Sequence, residues 1–263
     1  MEDALDEIAF LASSENRVAV FETLVDAPRD RHELLDEVDA SRVTITRALR
    51  ELESRGWITG TGQAYAVTPS GEWVCEEFSR LVDEMAAESR LREPLEWFPS
   101  ELLTFDVQCL RDADVLLVDR SDATAFVRRV VEFHRSGEWI RGVARVTAPV
   151  FVENHWELTV EGDTRLEMVV TPEVLDVVAS HPESARLVRE MLDEPNVDLS
   201  VSDKIPMTVG VVDDCVGINL TDDAGVIKGG LLSDDETVRE WAVELIADCR
   251  RRARPMSPED LAP

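Results

Sequence analysis

Ser41-Arg42-Val43-Thr44-Ile45-Thr46-Arg47-Ala48-Leu49-Arg50-Glu51-Leu52-Glu53-Ser54-Arg55-Gly56-Trp57-Ile58 carries four arginines in a 263-residue chain whose formal charge is -28. At 100° per residue, Ile45, Ala48, Leu49 and Leu52 fall on one side of a helix, and Val43, Thr46, Arg47, Arg50 and Ser54 fall on the other. Ser41 stands where an N-cap belongs, and Gly56 follows the run as a terminating glycine would. The stretch therefore predicts a discrete helix with an arginine face. Between Ala40 and Ala66 the four arginines meet only Glu51 and Glu53, so the segment is locally positive in an acidic chain.

Working outward, residues 14–28 place Val18, Phe21, Leu24 and Val25 at helical spacing and stop at Pro28. Residues 29–40 predict a shorter helix on Leu34, Leu35 and Val38. Downstream, Trp57, Ile58 and Thr59 lead to Gly60 and Gly62, and the chain returns through Tyr65 and Val67 to Pro69, which is a two-stranded hairpin. Three helices, the third bearing arginines, followed by a glycine-tipped hairpin, have the order of a winged helix-turn-helix.

Residues 14–70 resemble the winged-helix regulators of archaea and bacteria in the pattern Ser41-Arg42-x-Thr44-Ile45-x-Arg47-x-Leu49-x-x-Leu52-x-x-x-Gly56-x-Ile58 and in Val67-Thr68-Pro69-x-Gly71. The resemblance implies that the third helix enters the DNA major groove and that the hairpin is the wing. On that reading Arg47 and Arg50 meet guanine edges or phosphates, Val43 meets a thymine methyl, Ser41, Thr44 and Thr46 meet phosphate oxygens, and Arg42 is a further DNA-binding residue. Gln63 and Tyr65 follow the backbone or minor groove from the wing.

From Ser70 the pattern is again helical, with Val74, Phe78, Leu81 and Met85 forming an a/d seam that Trp73 and Val82 widen. Such a seam suits a homodimer, and packing within its own domain is an equally good account. Pro94 and Pro99 mark a break. Beyond it, strand-like runs at 115–118, 142–146, 166–170, 197–201, 208–212, 216–220 and 225–232 alternate with helical runs at 123–133, 172–179, 184–192 and 235–252. A hairpin turn is placed at Asp222, Asp223 and Gly225, and a capping box at Ser233 and Glu236 opens the last helix. The expected fold is α+β, an N-terminal winged helix-turn-helix followed by a mixed α/β sensor domain. The divisions are 1–70, a linker or dimerisation helix at 71–95, the second domain at 96–255 and a tail at 256–263.

The end of that hairpin, Leu232-Ser233-Asp234-Asp235 running to Trp241, is similar to the FilR-type archaeal regulators, named for control of methanogenesis. So are Phe98-Pro99-x-x-Leu102, Leu110-x-x-Ala113 and Val169-Val170-Thr171-Pro172-Glu173-Val174. This resemblance implies a transcriptional regulator of operator DNA whose second domain binds a small-molecule effector or dimerises. Candidate ligand residues beside strand ends are Arg141, Arg145, His155, Trp156, Lys204 and Asn219.

Chemistry of other kinds has little support in the pattern. No nucleophile elbow, Walker loop or dinucleotide fingerprint occurs, and the four histidines are scattered, none at i, i+4 from another. Cys75, Cys109, Cys215 and Cys249 form no C-x-x-C pair and read as reduced thiols. Neither a catalytic residue, a metal site nor a cofactor is expected. Two other readings remain: a methyltransferase-like enzyme with a winged-helix dimerisation domain, which would need a glycine-rich cofactor loop, and a winged helix for protein contacts, against which the arginine face speaks. With 55 Asp and Glu against 27 Lys and Arg, of which only Lys204 and Lys228 are lysines, the composition resembles proteins of salt-loving archaea. No apolar run approaches membrane-span length, so a cytoplasmic protein is expected.

Overall fold

The computed structural model describes residues 1–118, 122–222 and 225–261, with the side chain of Ala123 also left aside. Two compact units divide the chain, Met1–Ala86 and the remainder from Ala87.

In the first unit the elements run α1 (Glu2–Ala12), α2 (Glu15–Asp26), β1 (Arg29–Asp30), α3 (Arg31–Glu37), α4 (Arg42–Ser54), β2 (Ile58–Thr61), β3 (Ala64–Val67) and the start of α5 (Pro69–Glu96). Each helix start has a local cause. Ser14 accepts from the Arg17 amide ahead of α2, Asp30 forms a full capping box with Glu33 ahead of α3, and Ser41 accepts from the Thr44 amide ahead of α4. Val20, Phe21 and Leu24 of α2 meet Leu34 of α3 and Ile45, Leu49 and Leu52 of α4 in one core, each burial stabilising by about 1.5–3 kcal/mol. Trp57 closes this core, its ring stacked on Phe21 with centroids 5.7 Å apart.

The hairpin gains a third strand. β1 pairs antiparallel with β3, giving the order β1-β3-β2 with Arg29 opposite Tyr65 and Gly60 opposite Tyr65 on the other side. The motif Thr68-Pro69-x-Gly71 has a steric reason here. Thr68 donates its amide to the Trp57 carbonyl, and a Cβ on Gly71 would lie 1.9 Å from that oxygen. Only glycine lets α5 start so close to the wing. This unit is a winged helix-turn-helix preceded by α1, a helix that the pattern reading did not assign.

The a/d seam expected on α5 divides. Phe78 and Cys75 are buried and Val74 packs against them in the winged-helix core, whereas Trp73, Leu81, Val82 and Met85 are exposed. Val74 and Phe78 therefore do not belong to an outward seam. The helix also runs through Pro94 to Glu96. Pro94 forfeits the one bond its amide would give to the Arg90 carbonyl, and the helix ends two residues later, so little helix lies beyond it to be displaced.

In the second unit a mixed eight-stranded sheet has the order β11-β7-β6-β5-β8-β9-β10-β4, built from β4 (Asp114–Leu117), β5 (Trp139–Ala144), β6 (Arg165–Val170), β7 (Val197–Val201), β8 (Val209–Val212), β9 (Cys215–Thr221), β10 (Ile227–Ser233) and β11 (Arg254–Pro255). β5, β6 and β7 are parallel, and β5-β8-β9-β10-β4 is antiparallel. The helices are α6 (Ala123–His134), α7 (Pro149–Trp156), α8 (Pro172–Ala179), α9 (Pro182–Leu192) and α10 (Glu236–Arg251).

Alternating side chains feed two cores. Val143, Val169 and Val211 pack with Val238, Ala242 and Ile246 of α10. Ile140, Val170 and Val212 pack with Val152 of α7 and with Val174 and Val188 of α8 and α9. The cap of α10 differs from expectation: Asp235 accepts from the Thr237 and Val238 amides, and Ser233 accepts from the Asp235 amide instead. A carboxylate nearer the first turn takes the open amides before Ser233 reaches them. Asp223, placed in the β9–β10 turn, lies outside the described residues.

Candidate functional site

The four arginines of α4 and its C-cap fall into two unlike pairs. Arg47 donates Nε to Glu51 at 2.8 Å, and Glu51 also takes a 2.7 Å contact from the buried Arg17. Hydrogen bonds from Arg47 and then Arg17 hold the Glu51 carboxyl below its ordinary pKa. Arg55 is turned inward, bonded to Glu7 at 2.6 Å with its guanidinium 3.4 Å from the Phe10 ring centre. Arg42 and Arg50 are exposed and have no ion pair among the described residues. Val43 between them is 78% exposed.

The hydroxyls of this helix are used locally. Ser41 Oγ and Thr44 Oγ1 are 2.9 Å apart at the cap, and Thr46 donates to the Arg42 carbonyl at 2.8 Å. Each keeps a free lone pair for an outside donor but has less to give a phosphate oxygen. On the wing, Gln63 is exposed in the turn, while Tyr65 is half-buried with its hydroxyl accepting from Arg31 at 2.6 Å. Arg31, which the pattern reading left aside, thus stands at the wing with Tyr65.

In the second unit the six candidate ligand residues do not meet. Trp156 donates Nε1 to Glu190 at 2.8 Å. Arg141 lies 4.1 Å from the Trp139 ring centre, and Arg145 donates to the Pro206 carbonyl at 3.0 Å. Lys204 lines a surface groove beside Trp241 and Asp248. Among the described residues His155 and Asn219 alone of the six reach a common place, the wall of a cavity of about 130 Å³ between the sheet and the helices α6, α7, α8 and α9.

The cavity holds what the pattern reading missed. His134 at the end of α6 and His155 in the last turn of α7 face each other with ring centroids 4.7 Å apart. His134 Nδ1 and His155 Nε2 are buried without a hydrogen-bond partner among the described residues. Burial pushes the His134 imidazole down to about 4 and drives His155 well below its ordinary value, so both rings are neutral near pH 7. The rest of the wall is aliphatic, aromatic or thioether (Met168, Met191, Met256) apart from glycines and Thr147, Thr208 and Asn219, and no Asp, Glu, Lys or Arg lines it among the described residues.

Local structure sets this pair. Phe133 lies over Gly217 of β9, where a Cβ would come within 2.6 Å of its ring, so the glycine lets α6 settle on the sheet. Arg135 then bridges to α7, donating to Asn154 Oδ1 at 2.6 Å and pairing with Glu157. Past Trp156 the helix widens into a π turn, Glu157–Glu161, a distortion that recurs at functional sites. α7 carries no side-chain cap at Ala148 and mixes Val150 and Val152 with Asn154, so it has no readable pattern. No group of three or more His, Cys, Asp or Glu side chains suited to a metal ion occurs among the described residues. No helix among them is long and apolar enough to cross a membrane.

Residues 5–90 match the family model described as the HVO_A0261 N-terminal domain, and residues 123–252 match the middle domain of the methanogenesis regulatory protein FilR1. No curated protein sequence matches the chain. Among solved structures, TrmBL2, described as an archaeal chromatin protein with a novel mode of DNA binding, is 16% identical over 95% of this chain and 99% of its own, with a TM-score of 0.44. The phospholipase D family member Nuc of Salmonella typhimurium is 15% identical over 55% of this chain and 97% of its own, at 0.42. The methyltransferase CalO1 of calicheamicin biosynthesis is 17% identical over 79% and 66%, at 0.25. Likenesses at this level carry no assignment of activity.

Proposed function

We propose, from the premise that this chain belongs to the FilR-type winged-helix regulators, that it is a sequence-specific DNA-binding transcriptional regulator whose second domain responds to a small molecule. The observation that supports it most is the pairing state of α4. In a chain of charge -28 the guanidiniums of Arg42 and Arg50 have no ion pair among the described residues, on the helix that this fold presents to the major groove. Retaining them makes sense for a polyanionic partner. Arg47 is a weaker candidate, because binding a base would compete with Glu51; Gln63 and Tyr65 serve at the phosphates, and Thr44 and Thr46 do so only by exchanging the local hydrogen bonds they make.

The protein would act as a cytoplasmic homodimer, matching two half-sites about one helical turn apart. Leu81 and Met85 on neighbouring turns of α5, flanked by Trp73 and Val82, are the surface suited to a second copy. Leu81→Glu should give monomers by light scattering in molar salt, and a variant that stays dimeric moves the contact elsewhere. The acidic surface suits a salt-rich cell, where a Debye length of about 3 Å at 1 M screens self-repulsion.

The deciding experiment maps DNA fragments retained by the full chain at molar salt and measures their binding by fluorescence anisotropy, with Arg42→Ala and Arg50→Ala beside the wild type. Discrete sites that both substitutions weaken support the reading. Equal binding by the double variant, still folded by circular dichroism, removes α4 from the interface and the proposal with it.

A further inference from the structure

The His134/His155 cavity restricts what an effector can be. We infer that it takes an uncharged molecule of about the size of a single six-membered ring carrying one hydroxyl, a phenol-like compound, held by the two imidazoles. This rests on the reading of the second domain as an effector domain and adds the chemistry of the ligand.

Size comes first. A dry cavity of about 150 Å³ lined by aliphatic and aromatic side chains takes up benzene. The present one is about 130 Å³, with Phe126, Phe133 and Phe151 in its wall. Charge comes second. No ionic side chain among the described residues lines the cavity, so a carboxylate or ammonium would be buried without a counter-ion, at a cost of several kcal/mol per ion.

The head group follows from the orphan nitrogens. A pure hydrocarbon would leave His134 Nδ1 and His155 Nε2 unpaired. Neutral imidazoles each offer one N–H and one bare nitrogen, with either tautomer open. A hydroxyl both donates and accepts, and two hydrogen bonds of about 2.8 Å meeting at roughly 110–120° on one oxygen bridge atoms about 4.6–4.9 Å apart. The two rings, tilted by 35° with centroids 4.7 Å apart, stand close enough for one small head group to reach both. Asn219 on the same wall can orient a further polar substituent.

The experiment ranks three probes, phenol, toluene and benzoate, by calorimetric titration into the full chain at pH 7 and molar salt. Phenol is expected to bind at least about 10-fold tighter than toluene, although toluene is the less soluble in water, and benzoate more weakly than phenol. His134→Leu and His155→Leu should each lower phenol affinity by about 10-fold while sparing toluene, and His155→Gln should recover part of the loss. Toluene binding as well as phenol, benzoate binding best, or phenol affinity indifferent to both histidines would overturn the inference. The three-probe ranking on the wild type needs no variant, so a substitution that fails to fold does not block the test. DNA anisotropy run on the same samples separates the two readings: phenol bound with unchanged DNA affinity keeps the ligand class and sinks the sensor role.

Discussion

The arginine face of α4 and the histidine wall of the cavity present nitrogen groups in opposite ways. Arg42 and Arg50 stand in water with their charge intact, at little cost to the fold and with long-range attraction for phosphate. His134 and His155 stand in hydrocarbon, where charge is refused and two nitrogens lack partners. An unpaired buried polar atom costs about 1–3 kcal/mol, so the cavity wall carries a penalty that the helix face does not. One surface is ready for any polyanion, and the other is completed only by a partner of matching shape and hydrogen bonding.

That contrast breaks if the two surfaces respond alike to change. The largest effect should come from the cavity side: Phe133→Ala removes a buried ring from the sheet and should destabilise by about 3–5 kcal/mol, read as a lower denaturation midpoint of the second unit. DNA affinity measured where the protein is still folded should hardly change. Next, Arg50→Ala should weaken specific DNA binding by about 1–3 kcal/mol and leave the melting temperature where it was. A variant that shifts stability instead would mean the arginine packs rather than reads.

Acid sharpens the comparison further. The unfolded histidines take up protons near pH 6.5, whereas burial holds folded His134 near 4. Stability is therefore full above pH 6.5, falls as pH drops towards 4 and levels off below that. The loss from His134 should be about 1–2 kcal/mol after allowance for its remaining accessible surface, and His134→Leu should flatten that part of the thermal-melt profile. The smallest effect belongs to Arg47→Ala, expected to cost DNA binding under about 1 kcal/mol, because Glu51 already occupies that guanidinium. A loss as large as that of Arg50→Ala would show that DNA displaces Glu51.

The same contrast explains which features the sequence exposed. α4 was legible because its signals are local: Ser41 caps it, Ile45, Leu49 and Leu52 keep the helical period, and the arginines lie on the other side. Most strands of the second unit were legible too, since their apolar runs are long; strand 197–201 and helix 172–179 were found residue for residue. The cavity was not. His134 and His155 belong to different helices, and the helix bearing His155 lacks a cap and a clear apolar stripe. The α5 seam misled for a related reason: the pattern shows which residues share a face, and the burial of Phe78 beside exposed Leu81 depends on where the winged-helix core ends.

The pairing order of the large sheet has a consequence for time. Among the described residues β4 pairs with β10 alone, Val115 lying opposite Leu231 across more than a hundred residues of chain. On a ribosome adding about 5–20 residues per second, β4 waits roughly 10 s for its neighbour, with one apolar face uncovered. The winged helix, whose strands and helices are close in sequence, is complete before that wait begins. The growing chain is thus equipped for DNA before it has a closed cavity, and its most aggregation-prone stage lies between the two. Protease treatment of chains stalled before Ile227 should spare the first unit and cut the second.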